Sequence, residues 1–426
     1  MWLAVKTVAY VLYHLATLTA AAGGVLWLAV RPSRRVLFRR FCPLVPPMPG
    51  SPIWIQACSV GEVLTAKPII SAIRRRWPEV PILLTVSTTT GYALANATVR
   101  DVPITWFPFD VLPSVRRFMS HLKPRVLVLV ETEIWPNVIR EARYADVPVV
   151  LVNGRLSDKH YPRYLRLRPL VSAVVRPLSL AAMQNEEYAA RMRSLGAHPS
   201  SVHVTGNTKF DAVATAVDRA ALERLRQENG FSPDCPVVLY GSTRPGDEAL
   251  AAACWATLKK EFPSLRLIVA PRHLDRLDEA LSHFDEPLLR RSQVQQGQRA
   301  SGERVFVLDT VGELVSFYAL ATVAVIGGSF YPGVNGHNPL ESAALGIPTV
   351  FGPYMRNFID PARALVKAEG ARQVSNPQDL LPVLRGLLAD PKERARLAKH
   401  GREAVLANQG AINRTLDLLE TAIGLR

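Results

Sequence analysis

Beyond a proline-rich stretch, FCPLVPPMPGSP, short apolar runs alternate with longer segments in which apolar positions recur every three or four residues. The runs IWIQACS, ILLTVST, VLVLVET and PVVLVNG read as strands buried on both faces, and the intervening EVLTAKPIISAIRRRW and VIREARYAD carry the helical period. Such alternation predicts a parallel sheet with helices on both sides. It restarts near Pro236 with PVVLYGST, LRLIVAP, RVFVLD, TVAVIGGS and PTVFGP, interleaved with helices such as DEALAAACWATLKKEF. The stretch from Asp211 to Asn229 separates the two series and is the expected hinge. The fold class that follows is α/β, with two doubly wound, Rossmann-like domains facing a cleft. Their expected bounds are 41–212 and 213–426, the last helix being able to pack back on the first domain, after an anchor and basic flank over 1–40.

That anchor is read from Val8 to Val30, VAYVLYHLATLTAAAGGVLWLAV, where His14 is the one ionisable side chain. A helix of this length suffices to cross a hydrocarbon core of about 30 Å. Arg31, Arg34, Arg35, Arg39 and Arg40 follow it and only Lys6 precedes it, so the positive-inside rule keeps the remainder in the cytoplasm. Gly23, Gly24 and His14 leave open a helix lying in the membrane plane. A cleaved signal peptide ranks below both, because the apolar run continues through Trp27.

A chain of 426 residues suits two domains, and 48% apolar with 20% charged residues excludes a disordered one. The 51 basic against 36 acidic residues give +15, a field that attracts phosphates. Cys42, Cys58, Cys235 and Cys254 lack C-x-x-C spacing, which disfavours zinc or a disulfide framework and predicts buried, reduced thiols. No GxxxxGK[ST] segment or D-x-D pair is present, and the basic residues are dispersed without a nucleic-acid module.

Ligands of doubly wound sheets sit at the carboxyl ends of strands, so the loops there are the candidate sites. After IWIQAC come Ser59 and Glu62, which match a capping box and equally place a carboxylate where it would take a proton from an attacking hydroxyl. The helix N-terminus is expected to favour its ionised form. After VLVLV come Glu131 and Glu133, either a functional pair or a solvated strand end packed by Trp135. The loop from Asn153 mixes Arg155, Lys159, Arg163, Arg166 and Arg168 with Tyr161 and Tyr164, suited to acceptor phosphates or simply a charged surface. Lys209 follows VHVT in a loop that Gly206 and Asn207 also suit as a plain turn.

In the second half, Arg244, Asp247 and Glu248 follow PVVLY. Pro271, Arg272 and His273 follow LRLIVA, where Arg272 is placed to hold a phosphate bidentately. DTVGEL brings Gly312, Glu313 and Leu314 to another strand end. In GGSFYPGVNGHNPLE, Asn338 and Pro339 mark a helix start expected to bind an anion, followed by Leu340 and Glu341. Glu341 is either a ribose ligand or a capping partner of Asn338, and His337 reads more readily as a packed than a catalytic histidine.

WIQACSVGE, ETEIWPN, NGRLSDK, AAMQNEE, TGNTKFD, GSTRPGDE, APRH, LDTVGEL and GGSFYPGVNGHNPLE together, in this order, resemble the Kdo (3-deoxy-D-manno-octulosonic acid) transferases of lipopolysaccharide synthesis. The resemblance implies a two-domain GT-B fold, CMP-Kdo as donor substrate, a lipid A precursor (lipid IVA) as acceptor, no cofactor and no metal. It implies placement on the inner membrane through a single N-terminal anchor, with the catalytic domains on the cytoplasmic face. It makes Glu62 the proton acceptor and gives Glu131 and Lys209 transition-state support, with Glu133 as alternative to Glu131. It assigns CMP to Pro271, Arg272, Gly312, Glu313, Leu314, Asn338, Pro339, Leu340 and Glu341. In this chain Arg244 and Pro245 stand where the family more often shows His and an acid. Rival readings are a nucleotide-sugar 2-epimerase-like isomerase and a noncatalytic protein that binds anionic lipid.

Overall fold

The computed structural model describes residues 2–29, 38–100, 102–232 and 234–424. Among them fourteen strands form two seven-stranded parallel sheets. The first contains β1 (Ile53–Ala57), β2 (Ile82–Val86), β3 (Ile104–Trp106), β4 (Val126–Val130), β5 (Val149–Gly154), β6 (Leu180–Met183) and β7 (Val202–Val204), in the order β3-β2-β1-β4-β5-β6-β7. The second contains β8 (Val237–Thr243), β9 (Arg266–Pro271), β10 (Leu288–Arg290), β11 (Val305–Val307), β12 (Val323–Ile326), β13 (Thr349–Phe351) and β14 (Ala371–Gln373), in the order β10-β11-β9-β8-β12-β13-β14.

Every residue of β1, β2 and β4 is buried, which is why these strands read as unbroken apolar runs. Alternation still sorts their side chains. Trp54 joins Phe107 and Phe118 in the core on one side of the sheet, whereas Ile53 and Ile55 join Val63, Ile69 and Ile73 on the other.

The chain divides into two compact units, residues 1–211 with 409–426, and residues 212–408. The last helix, Ala411–Ile423, therefore belongs to the first unit, where Ile412, Leu416 and Leu419 complete the core beneath the helix Val60–Arg76. Asp211 fixes its start. One carboxylate oxygen accepts the N–H of Gly410 and the other that of Ile412, each at 2.6 Å, and Arg414 Nε donates to the Thr205 carbonyl at 2.8 Å. Asp211→Ala leaves two helix-terminal donors unpaired and is expected to cost about 1–2 kcal/mol. In thermal melts this appears as a Tm lower by about 2–4 °C per kcal/mol.

The first helix, Trp2–Ala29, forms, but the spanning anchor expected of Val8–Val30 is not supported: among the described residues no helix is long and apolar enough to cross a membrane. The physical reason lies in the polar positions that interrupt its apolar run. Tyr10 donates to Asn137 Oδ1 at 2.5 Å and Tyr13 to Asp110 Oδ2 at 2.6 Å, so this side of the helix is tied to the first unit. Asp110 is 6% exposed and also accepts the N–H groups of Asn137 and Val138, at the start of the helix Pro136–Tyr144. Val8, Val11, Leu12, Leu15 and Leu18 are exposed.

Arg31, Arg34 and Arg35 of the expected basic flank lie outside the described residues. Arg40 is not a flank residue at all. It is buried, donates from Nε to the Phe107 carbonyl and from Nη1 to that of Ser87, and stacks 4.2 Å above the Phe109 ring. The cysteines are unpaired, as expected, but Cys42 is exposed and only Cys254 is buried.

Candidate functional site

In each sheet one strand is hydrogen-bonded to neighbours whose connections run in opposite directions. β1 lies between β2 and β4, and β8 between β9 and β12. At such a switch point the two following loops part, and the carboxyl edge between them opens. The expected acids follow β1 and β4, and the expected cations follow β8 and β9.

In the first unit, Glu62 lies in the opening turn of the helix Val60–Arg76 and bends back over the end of β1. Its Oε2 accepts the Cys58 N–H, and its Oε1 accepts the Ser59 hydroxyl at 3.3 Å. The reciprocal capping box expected of the pair is not closed, since Ser59 makes no side-chain cap of its own. Burial, then the Glu133 and Glu131 charges, push Glu62 up to about 8 against the pull of backbone donors. The expectation that the helix terminus keeps it ionised is therefore reversed, because desolvation and like charge outweigh the dipole. A carboxylate of this kind is a stronger base once deprotonated.

Glu133, 8% exposed, sits beneath it. Its Oε2 accepts from Trp135 Nε1 at 2.6 Å and from Gln56 Nε2 at 3.3 Å, and burial raises its pKa. Gln56 is fixed in turn by Ser87 Oγ and Thr85 Oγ1. The Arg40 guanidinium is close enough to act on both Glu133 and Cys58. Sequence reasoning did not give Arg40, Gln56 and Cys58 this place. The signal for two of them was available, since Gln56 and Cys58 are alternate polar positions in an otherwise apolar run.

The ligating atoms of Cys58, Glu62 and Glu133 lie within 4.8 Å of one another, the one group among the described residues that is close enough to hold a metal ion. Burial pushes the Cys58 thiol up to about 12, so a cation there would have to displace protons from both Cys58 and Glu62.

Strand β4 ends at Val130, and Glu131 takes a left-handed backbone (φ 63°), so the regular strand alternation does not extend to Glu133. Its Oε1 accepts the Thr65 hydroxyl at 3.1 Å. Lys209 lies on the loop after the edge strand β7. That loop folds back across the sheet edge, the Thr208 N–H reaching Asn153 Oδ1 at 3.0 Å and Asn207 Nδ2 reaching Gln184 Oε1 at 3.1 Å.

In the second unit, Pro271 ends β9 and the exposed Arg272 follows, its N–H donating to the Thr243 carbonyl at 3.1 Å. Gly312 has φ +94° with open space where a Cβ would stand. The Glu313 carboxylate is engaged by the buried Arg291 at 2.9 Å and by Gln295 Nε2 at 3.2 Å, so its backbone rather than its side chain is left to a ligand. Asn338 accepts the Leu340 N–H at 3.1 Å and donates to Glu341 Oε1 at 3.1 Å, the capping arrangement weighed for this pair. The helix that follows, Leu340–Ala344, has only five residues and Pro339 at its cap, too short for the dipole-based anion site expected there. Positive charge at this edge comes instead from Arg272, which opposes the burial-driven rise in the Glu341 pKa.

Residues 33–212 match the family described as 3-Deoxy-D-manno-octulosonic-acid transferase (kdotransferase). The 3-deoxy-D-manno-octulosonic acid transferase of Haemophilus influenzae is 31% identical over 88% of this chain and 87% of its own length. That of Bordetella pertussis is 33% identical over 95% and 94%. Among solved structures, S. aureus MnaA with UDP has a TM-score of 0.58 at 16% identity, covering 88% of this chain and 98% of its own. A glycosyltransferase from Rickettsia africae has a TM-score of 0.58 at 8% identity, covering 89% and 100%. At these identities the structures show the fold alone, two parallel-sheet α/β domains of the GT-B kind. The two full-length relatives carry the assignment further: the chain belongs to the 3-deoxy-D-manno-octulosonic acid transferase family and is a glycosyltransferase.

Proposed function

We propose that the protein transfers Kdo from CMP-Kdo to a lipid A precursor with inversion at the anomeric carbon, Glu62 acting as the base. The observation that carries this reading is the Glu62 carboxylate, held at the switch point of the first sheet and pushed up to about 8 by burial and two neighbouring acids. Glu62 takes the proton of an acceptor hydroxyl, whose oxygen forms the new bond to the sugar as the bond to CMP breaks. Glu131 and Lys209, at the same sheet edge, support the charge that develops, and no cofactor or metal is required. Arg272 meets the departing phosphate, the Gly312–Leu314 backbone and the residues Asn338, Pro339, Leu340 and Glu341 hold the nucleoside, and Pro271 shapes the edge beside them.

A lipid acceptor also gives the first helix a use that does not require spanning. Val8, Val11, Leu12, Leu15 and Leu18 recur at helical spacing, and burying them in the headgroup region of a membrane would hold the enzyme on its substrate's surface.

Mass spectrometry after incubation with CMP-Kdo and detergent-dispersed lipid A precursor tests the reaction and counts the sugars added. Added Kdo masses support it. Their absence with a folded, CMP-binding protein rules the acceptor out, and epimerised donor in an acceptor-free control would favour the isomerase reading instead.

A further inference from the structure

The carboxyl edge of the second sheet carries cations besides Arg272, with the buried Asp247 carboxyl beside Arg244. Arg272 and His273 follow β9, Arg244 follows β8, and all three act on the His337 imidazole. Two of these side chains hold a buried nitrogen with no hydrogen-bond partner, Arg244 Nε and His337 Nε2. Their backbones are fixed to one another's loops. Asp247 Oδ2 accepts the Arg244 N–H at 2.8 Å and the Gly328 N–H at 2.6 Å, which joins the loop after β8 to the loop after β12. Gly328 is also where His337 packs, since a Cβ there would meet the ring at 3.0 Å. Burial and the surrounding cations lower His337 to about 4, so at neutral pH the ring is uncharged and one tautomer presents an N–H at Nε2.

We propose that Arg244, with His337 beside it, binds the carboxylate of an acidic sugar in the donor, while Arg272 takes the nucleotide phosphate. This rests on the donor assignment made above and adds the residues that select a sugar acid. A nucleotide carrying a neutral sugar would bury both nitrogens unpaired, whereas a carboxylate satisfies them with a charge-assisted pair. Discrimination of this kind is strong because the wrong ligand leaves polar groups stranded.

The test compares binding of CMP, which lacks the sugar acid, with binding of CMP-Kdo. Arg244→Gln is expected to weaken CMP-Kdo binding by about ten- to a hundredfold while CMP binding stays within about twofold, which also shows that the variant is folded. Arg272→Gln should weaken both ligands together, and Arg244→Lys should recover part of the CMP-Kdo loss. Unchanged CMP-Kdo affinity in Arg244→Gln, or equal losses for both ligands, overturns the proposal. Wild-type protein that binds neither ligand overturns the donor assignment itself, so the two failures are told apart.

Discussion

Glu62→Gln is expected to lower kcat by about 10²–10⁴-fold while leaving CMP affinity unchanged. Glutamine keeps the shape and one acceptor oxygen for the Cys58 N–H but cannot take a proton. In the wild type, kcat/KM should rise with pH through about 8, because the base works only when deprotonated, and this limb should vanish from the residual activity of the variant. The same substitution should stabilise the fold. The folded-state pKa lies above its ordinary value of 4.5, so the protonated carboxyl is the form the fold favours. That contribution is full below about 4.5 and is lost as pH rises towards about 8. Tm of the variant should therefore match the wild type near pH 4 and exceed it increasingly up to pH 8, by about 2–4 °C per kcal/mol relieved. A variant with full turnover would remove Glu62 from the mechanism, and a Tm gap that ignores pH would remove the carboxylate repulsion described here.

Gly327→Ala is expected to damage the second unit. A Cβ at Gly327 would stand 2.5 Å from the Ser242 carbonyl oxygen and 2.8 Å from both Ser242 C and Thr243 Cα. These are backbone atoms of the end of β8, so no side chain can swing aside, and the strand ends must separate. The Gly327 N–H to Gly241 carbonyl bond of 2.8 Å would be strained with them. Overpacking of this kind costs about 1–3 kcal/mol, and contact with backbone on two residues places it at the upper end. The displaced Thr243 carbonyl also anchors the Arg272 N–H, so CMP affinity should fall at least about tenfold by calorimetry, with no loss of helix content from the first unit. Unaltered CMP affinity would show that nucleotide binds away from this edge.

Much of the fold was legible because parallel strands buried on both faces leave uninterrupted apolar runs, and IWIQACS, VLVLVET, PVVLYGST and TVAVIGGS all contain strands at the expected places. The short outer strands β3, β10 and β14, three residues each, gave too little sequence for any period. The site was legible in part. Loops after strands are local, so Glu62, Glu131 and Arg272 were found at sheet edges. Which loops meet depends on strand order, which no local pattern contains. Glu133 reaches Gln56 only because β4 lies beside β1, and Asp247 joins Arg244 to Gly328 only because β12 lies beside β8. The spanning reading of the first helix is not supported, and a run of apolar letters does not show that the hydroxyls of Tyr10 and Tyr13 tie that helix to the first unit.

The place of the last helix bears on how the protein is made. Ile412, Leu416 and Leu419 close a core whose other members were synthesised more than two hundred residues earlier, from Ile53 to Leu180. On the ribosome the second unit has its whole sequence, 212–408, before the first unit has its final helix. The earlier half must therefore wait, with the apolar side of the helix Val60–Arg76 open, through the synthesis and folding of the later half. Emergence of the helix Ala411–Ile423, rather than of the first 211 residues, is the event that closes this core, and variants lacking that helix should be recovered as aggregates of the half that was made first.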